Sequence, residues 1–244
     1  MTGALGLVSH ELRTPLTSIL GHLELVLEDA GLSAENRHAL VIVERNAHRL
    51  SRLVGDLLHC AEVEAGRFPL DAGEVDLAGV ARAAEEAAGP AAGRAGVQLL
   101  LDLPAGPTPV RGDADRLGQA CDNLLDNAVK FTPAGGRVTL SLRRRTGATG
   151  PVAVLTVRDT GIGIPAAEQD ALFERFYRAS AARERGIDGV GLGLAVTRAI
   201  VSAHGGTVDV QSTEGVGTSF ALTLPLAAPS PADRTAGTPT AGAR

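Results

Sequence analysis

Two runs of apolar residues, spaced alternately by four and three, open the chain. Leu12, Leu16, Ile19, Leu23 and Val26 form the first; Leu40, Val43, Ala47, Leu50, Val54, Leu57 and Ala61 form the second. This is the seam spacing of packed helices. Gly31-Leu32-Ser33 breaks the pattern between them, and Ser33 with Asn36 offers helix-start chemistry. Two amphipathic helices have only two layers to bury, so a lone hairpin leaves apolar surface wet. Dimerising into a four-helix bundle removes that surface from water. The expectation is a helical hairpin over residues 1–66 that pairs with a second copy.

Composition shifts at Gly66-Arg67-Phe68-Pro69, which marks a boundary. Beyond it the patterns predict an alanine-rich helix near 76–89, a strand near 97–103 and a helix from Asp113 to Lys130. Strands follow near 137–145 and 151–158, then an irregular stretch over 161–189. A helix from Leu192 to His204 leads into strands at 206–212 and 217–225. Residues 67–226 are thus expected to form an α+β sandwich, helices on one face of a mixed sheet. Residues 227–244, rich in Pro, Ala, Thr and Gly, are expected to be a disordered tail.

Several function classes fall away. A net charge of −5 and 2% aromatic residues argue against a protein that coats DNA or RNA. No apolar run approaches the roughly 18 residues that cross a bilayer. The opening MTGALGLVSH has neither the charged start nor the apolar stretch of a signal peptide. As given, the chain is expected in the cytoplasm. Cys60 and Cys121 are too few for a disulfide framework or a zinc site. Of the 23 basic residues all but Lys130 are arginine. Either Lys130 is a chance survivor of that bias or an ammonium is wanted there.

At about 100° per residue, His10 lies about 160° from the centre of the first seam, and Thr14 shares its outer face one turn on. Both side chains are expected to point to solvent. Glu11 adjoins the histidine, and Pro15 cannot donate to the carbonyl of Glu11, so a bend is expected beside it. A bend, a carboxylate and an exposed imidazole make a nucleophile site, where Glu11 orients or deprotonates one ring nitrogen and frees the other. A plain surface histidine is the bland alternative. Ser9-His10-Glu11-Leu12-Arg13-Thr14-Pro15-Leu16 resembles the H box of the sensor histidine kinases of two-component systems.

The rest of the chain agrees with that resemblance. Asn123 and Asn127 are four apart and share a helix face, while Leu124 and Leu125 fall on the other side. Carboxamides ligate Mg²⁺ and hydrogen-bond phosphate without adding repelling charge, and Lys130 lies close to the same face; a solvated surface is the alternative. This segment matches the family's N box, whose asparagine at the position of Asn127 binds the metal. Asp159-Thr160-Gly161-Ile162-Gly163 follows an apolar strand and resembles the G1 box; a carboxylate there accepts from the adenine amino group while the glycines admit backbone. Phe173 to Arg178 resembles the F box, whose aromatics anchor a mobile lid. Gly189-Val190-Gly191-Leu192-Gly193-Leu194 opens a helix, an anion site by its backbone N–H groups, and resembles the G2 box. Gly215-Val216-Gly217-Thr218 resembles the last glycine box, with a plain hairpin turn between two strands as the alternative.

The resemblance implies a dimerisation and phosphotransfer hairpin joined to a Bergerat-fold ATP-binding domain. ATP and Mg²⁺ are the implied cofactors. Adenine would sit on Asp159, with the Gly161 and Gly163 backbone close to it and Phe131 against it, and Thr218 would also belong to the ATP site. The phosphates would lie between Asn123, Asn127, Lys130 and the loop of Gly189, Gly191, Leu192 and Gly193, with Arg178 reaching the γ-phosphate from the lid. His10 would be phosphorylated and would pass its phosphoryl group to an aspartate of a response regulator. Thr14 matches the position that orients water for dephosphorylating that regulator. Met1 lies close before His10, whereas the family's first helix begins well upstream. The chain is therefore read as a fragment or truncated product, or as a stand-alone kinase signalled by a partner. A sensor and a membrane anchor are expected upstream in a full-length form. The rivals are a nucleotide-binding regulatory dimer without kinase activity, and a Bergerat ATPase or serine-directed kinase, which leaves the His10 hairpin unexplained.

Overall fold

The computed structural model describes residues 2–29, 31–64, 70–148, 150–187 and 189–227; in the first two helices it describes side chains only at 14–29, 34–47, 50, 51, 54 and 55. The expected boundary at Gly66 and the tail from 228 onward lie outside the described residues. Helix α1 (Thr2–Leu27) runs through Pro15, and α2 (Ala34–Glu64) returns beside it. Arg37 closes the turn, donating to Leu27 O at 2.6 Å and Asp29 O at 2.7 Å, which satisfies carbonyls that the end of α1 leaves open. Ser33 Oγ accepts from Asn36 N at 3.2 Å, the cap that Ser33 promised.

Among the described side chains of the hairpin, the seams are only partly covered. Leu16, Leu23 and Ala47 are buried, while Ile19, Val26, Val43 and Leu50 of the same seams, with Leu25, Val41 and Ile42, are exposed.

After the hairpin come β1 (Gly73–Asp76), α3 (Leu77–Ala95), β2 (Gln98–Asp102), β3 (Pro109–Gly112), α4 (Ala114–Phe131), β4 (Arg137–Gly147) and β5 (Gly150–Asp159). Short pieces follow, α5 (Ala166–Gln169), a 3₁₀ turn (Asp170–Phe173) and α6 (Ser180–Glu184), then α7 (Gly193–Ala203), β6 (Thr207–Thr213) and β7 (Gly217–Pro225). The main sheet has the order β2-β4-β5-β7-β6; β2 runs parallel to β4 and the other pairings are antiparallel. It is the expected mixed sheet.

Alternation along the strands decides which face is covered. Leu140, Val157 and Phe220 stand in one register row across β4, β5 and β7, and Leu142, Leu155 and Leu222 in the next; all are buried. Opposite them α4 buries Leu117, Ala120, Cys121, Leu124, Leu125 and Ala128, and α7 buries Val196, Ile200 and Val201. α3 completes the layer with Ala81, Ala84, Ala88 and Ala92.

Four details depart from the sequence expectation. α3 continues past Pro90 to Ala95, although proline removes a helix bond there. Burial of Ala88 and Ala92 on either side holds the helix together. β1 and β3 form a separate two-stranded antiparallel pair that no pattern announced, since four residues carry too little alternation. The stretch over 161–189 is not wholly irregular but holds the three short pieces above. Ala227, assigned to the tail, donates to Pro109 O at 2.9 Å.

Leu124 has no exposed surface in this layer. Leu124→Ala is expected to lower unfolding free energy by about 2–5 kcal/mol in a denaturant titration; a loss well under 1 kcal/mol would contradict the packing.

Candidate nucleotide pocket

The same alternation that buries Ala153, Leu155 and Val157 carries Asp159, at the end of β5, onto the helix-covered side. Its Oδ1 accepts from Gly161 N at 2.8 Å and Thr218 N at 3.2 Å. Thr218 is the corresponding inward position of β7, and its hydroxyl meets Ser212 Oγ at 2.8 Å. Burial raises the Asp159 carboxyl above the usual carboxylate range, and the two N–H donors oppose that rise.

Around this carboxylate lies a cavity of about 200 Å³. Asn127, Lys130 and Phe131 reach it from the last turns of α4; Gly163 and Ile164 come from the loop after β5, Arg178 from the lid segment, and Gly189, Gly191, Leu192 and Gly193 from the start of α7. Its apolar wall, Ile162, Ile164, Leu172, Val190, Leu192 and Phe220, suits the faces of a flat heterocycle, and Asp159 is a polar acceptor at its edge.

Two glycines are indispensable to the shape. Gly163 has φ +67°, and a Cβ there would lie 2.0 Å from Thr213 O; Gly191 has φ +79°, and a Cβ would lie 2.3 Å from Tyr177 O. Gly161 packs as closely: its Cβ would meet Phe131 O at 2.5 Å. Ile162 N donates to that same carbonyl at 3.2 Å, tying the loop after β5 to the end of α4.

At the other end of the cavity Lys130 is the cation. Its Nζ lies 5.5 Å from the Phe131 ring centre, and a Cβ on Gly189 would come within 3.0 Å of it, so the ammonium reaches across to the α7 loop. Asn127, three residues before Lys130 on α4, lines the same cavity. An oxygen donor beside a cation and open backbone N–H groups fits a triphosphate with Mg²⁺. Asn123 is placed differently: its Nδ2 donates to Gly193 O at 3.2 Å, pinning α4 to the start of α7, and it lines a second, larger cleft.

That second cleft, of about 930 Å³, begins where the first cavity ends. Asn127, Lys130, Gly189 and Gly193 line both, and Arg45, Asn46 and Gly55 of α2 form its far wall. Asp122 and Asp126 also face it; burial and then Asp126 raise the Asp122 carboxyl.

The lid segment is held on both sides. Arg178 Nη2 donates to Ile187 O at 2.6 Å, so the expected γ-phosphate ligand here braces its own lid. Glu168 accepts from the backbone N–H of Ser180 at 2.9 Å and from its hydroxyl, and those bonds hold its carboxyl below the usual range. Phe176, exposed and at φ +61°, donates its N–H to Gly191 O at 2.9 Å.

Of the expected site residues, the fold gathers Asn127, Lys130, Phe131, Asp159, Gly163, Arg178, Gly189, Gly191, Leu192, Gly193 and Thr218 around one cavity, with Gly161 behind it. Thr14 is exposed on α1. His10 and Glu11 lie on α1, and their side chains are outside the described residues. Sequence reasoning missed Ser212 and Gln169. Ser212 Oγ accepts from Ile164 N at 2.8 Å, and Gln169 Nε2 donates to Ile164 O and Ser212 O at 3.1 and 2.9 Å, bracing the pocket loop. Neither has a pattern of its own; only the loop's need for partners points to them.

Comparison with known proteins places both halves. Residues 3–66 match the family described as "His Kinase A (phospho-acceptor) domain", and residues 112–228 match "Histidine kinase-, DNA gyrase B-, and HSP90-like ATPase". The probable sensor histidine kinase TcrY of Mycobacterium tuberculosis is 44% identical over 222 residues, 89% of this chain and 44% of that protein. The sensor protein DivL of Caulobacter vibrioides is 41% identical over 220 residues, 90% of this chain and 27% of that protein. The chain thus spans less than half the length of these curated relatives. The mycobacterial sensor histidine kinase MprB superposes with a TM-score of 0.55 at 35% identity, covering 63% of this chain and 98% of that one. Full-length ShkA in complex with AMPPNP superposes with a TM-score of 0.77 at 32% identity, covering 93% of this chain and 46% of that one.

An acid whose folded pKa is raised costs stability above that pKa, and the cost is relieved as pH falls through it. Asp159→Asn is therefore expected to leave the melting temperature at pH 7 unchanged or higher. Titration with an ATP analogue should nevertheless show binding weakened at least about tenfold, the worth of one charge-assisted hydrogen bond. Unchanged affinity would contradict the role given to Asp159.

Proposed function

The chain belongs to the sensor histidine kinases of two-component systems, and from that premise we propose that it binds ATP and phosphorylates His10. The observation that carries the reading is the cleft that joins the phosphate end of the nucleotide cavity to the wall of α2. A phosphoryl group held between Asn127, Lys130 and the 189–193 loop faces the hairpin and not bulk solvent.

Asp159 accepts a hydrogen bond from the adenine amino group, and the apolar wall with Phe131 takes the ring faces. Lys130 and the N–H groups at the start of α7 neutralise the phosphates, the larger part of catalysis in phosphoryl transfer. The Asn127 carboxamide would hold Mg²⁺, which spreads the charge of the triphosphate. Asn123 positions the α7 loop through Gly193 O. Arg178 is carried to the γ-phosphate when the lid closes. His10 then attacks the γ-phosphorus; a phosphorus–nitrogen bond forms, the bond to the bridging oxygen breaks, and ADP leaves. Glu11 holds the proton of the other ring nitrogen, a modest task, since imidazole with an unperturbed pKa of about 6.5 is already largely neutral at pH 7.

The phosphohistidine passes its phosphoryl group to an aspartate of a response regulator. The exposed apolar face of α1 and α2 is covered by a second copy, in a four-helix bundle. The relatives TcrY and DivL both extend well beyond the region they share with this chain. Among the described residues no helix is long and apolar enough to cross a membrane.

Incubation with γ-labelled ATP and Mg²⁺ tests the reading. Wild type should acquire acid-labile, alkali-stable label, and His10→Gln and Asn127→Asp should acquire none. No label on a wild type that binds ATP would favour a regulatory dimer without kinase activity.

Thr14, exposed one turn from His10, orients water for dephosphorylating the regulator. Thr14→Ala is expected to abolish phosphatase activity on a phosphorylated regulator and leave autophosphorylation within about twofold. Equal loss of both activities would remove that role.

A further inference from the structure

His204 is a buried histidine that the proposed reaction does not use. It follows α7, with 9% of its surface exposed. Its Nε2 lies 3.0 Å from Asp113 N, and its Nδ1 lies 2.7 Å from Ile200 O. A backbone N–H can only donate, so Nε2 accepts and the proton sits on Nδ1, donating to Ile200 O. The ring reaches Asp113 because position 112 is glycine: a Cβ on Gly112 would come within 2.4 Å of Cδ2 and 2.7 Å of Nε2.

Asp113 begins α4, its side chain accepting from Arg116 N at 3.2 Å and Asp71 N at 3.1 Å. The His204 bond therefore joins the end of α7 to the start of α4. At the start of α7, Gly193 O accepts from Asn123 Nδ2, midway along α4, at 3.2 Å beside the phosphate site. Both ends of α7 are thus pinned to the first half of the antiparallel α4, over their apolar contact with the sheet. A packed apolar interface tolerates sliding better than two hydrogen bonds at the two ends of α7 do, because a slide leaves their donors and acceptors unpaired. Asn127 and Lys130 come from one of these helices and the 189–193 loop opens the other, so their separation depends on the register of the pair.

We propose that His204, as the neutral Nδ1–H tautomer, is a positioning residue for nucleotide binding that sets the register of α4 against α7 through Asp113 N. The proposal rests on the reading of this cavity as the ATP site, and wild-type ATP affinity is the control for that reading.

Two substitutions separate the two ring nitrogens. Glutamine places an acceptor oxygen near the position of Nε2 and gives up the bond to Ile200 O. Asparagine keeps a donor near Nδ1 and gives up Asp113 N. His204→Gln is expected to bind ATP within about twofold of wild type, and His204→Asn about five- to tenfold more weakly. If both bind as wild type does, or if both weaken together with their melting temperatures, His204 is only a packing residue and the proposal falls. Should His204→Asn not fold, long-range ¹H–¹⁵N spectra of wild type decide. The Nδ1–H tautomer is expected, and the Nε2–H tautomer would overturn the proposal. Wild type that binds no ATP would instead sink the nucleotide reading and leave the tautomer result standing.

Discussion

A carboxylate at an inward-facing sheet position organises the nucleotide half of this protein. Period-two alternation brings Asp159 to the buried side of β5 in the step after Val157, where an ionised group is costly unless donors reach it. Gly161 and Thr218 supply two such donors. To supply them, the loop after β5 must turn back under the carboxylate and the start of β7 must lie against it. Gly163 and Gly217 admit those close approaches, since a Cβ at either would lie within about 2 Å of a backbone oxygen. The cavity beside Asp159 is the space that this arrangement leaves between sheet and helices.

The second dependence is on α4. One of its faces supplies Leu117, Leu124 and Leu125 to the core, and the neighbouring face supplies Asn123, Asn127 and Lys130. Stability and chemistry thus share one rigid rod, so a shift of the packed face moves the polar face with it. The start of α7 is coupled through Gly193, and its end through His204. This is why residues remote from the cavity bear on its shape.

Much of this was legible in the residues. Strong periodicity marked α4, β4, β5, α7 and β7, because each buries one face against the same layer. Spacing and the familiar order of the boxes singled out the asparagines, Asp159 and the glycine loops as candidates, and the fold sets Asn127, Asp159 and the 189–193 loop around one cavity. What escaped had physical reasons. β1 and β3 are too short to alternate. The alanine-rich helix runs past Pro90 to Ala95, beyond its expected end near 89, with Ala88 and Ala92 buried on either side of the proline. Asn123 and Arg178 carry groups suited to phosphate, yet each hydrogen-bonds a protein carbonyl, which only the chain's path reveals. Ser212 and Gln169 are common residues that matter through the loop they brace. His204 was read as no more than the end of a helix.

The central claim is directional: nucleotide lies with its base at Asp159 and its phosphates turned toward α2. A crystal structure of the chain with AMPPNP and Mg²⁺ tests this most directly. The account predicts the purine amino group on the Asp159 carboxylate, the metal on Asn127, and the γ-phosphate in the cleft walled by Arg45, Asn46 and Gly55. A nucleotide bound in the reverse sense, or with its γ-phosphate facing open solvent away from α2, would contradict it.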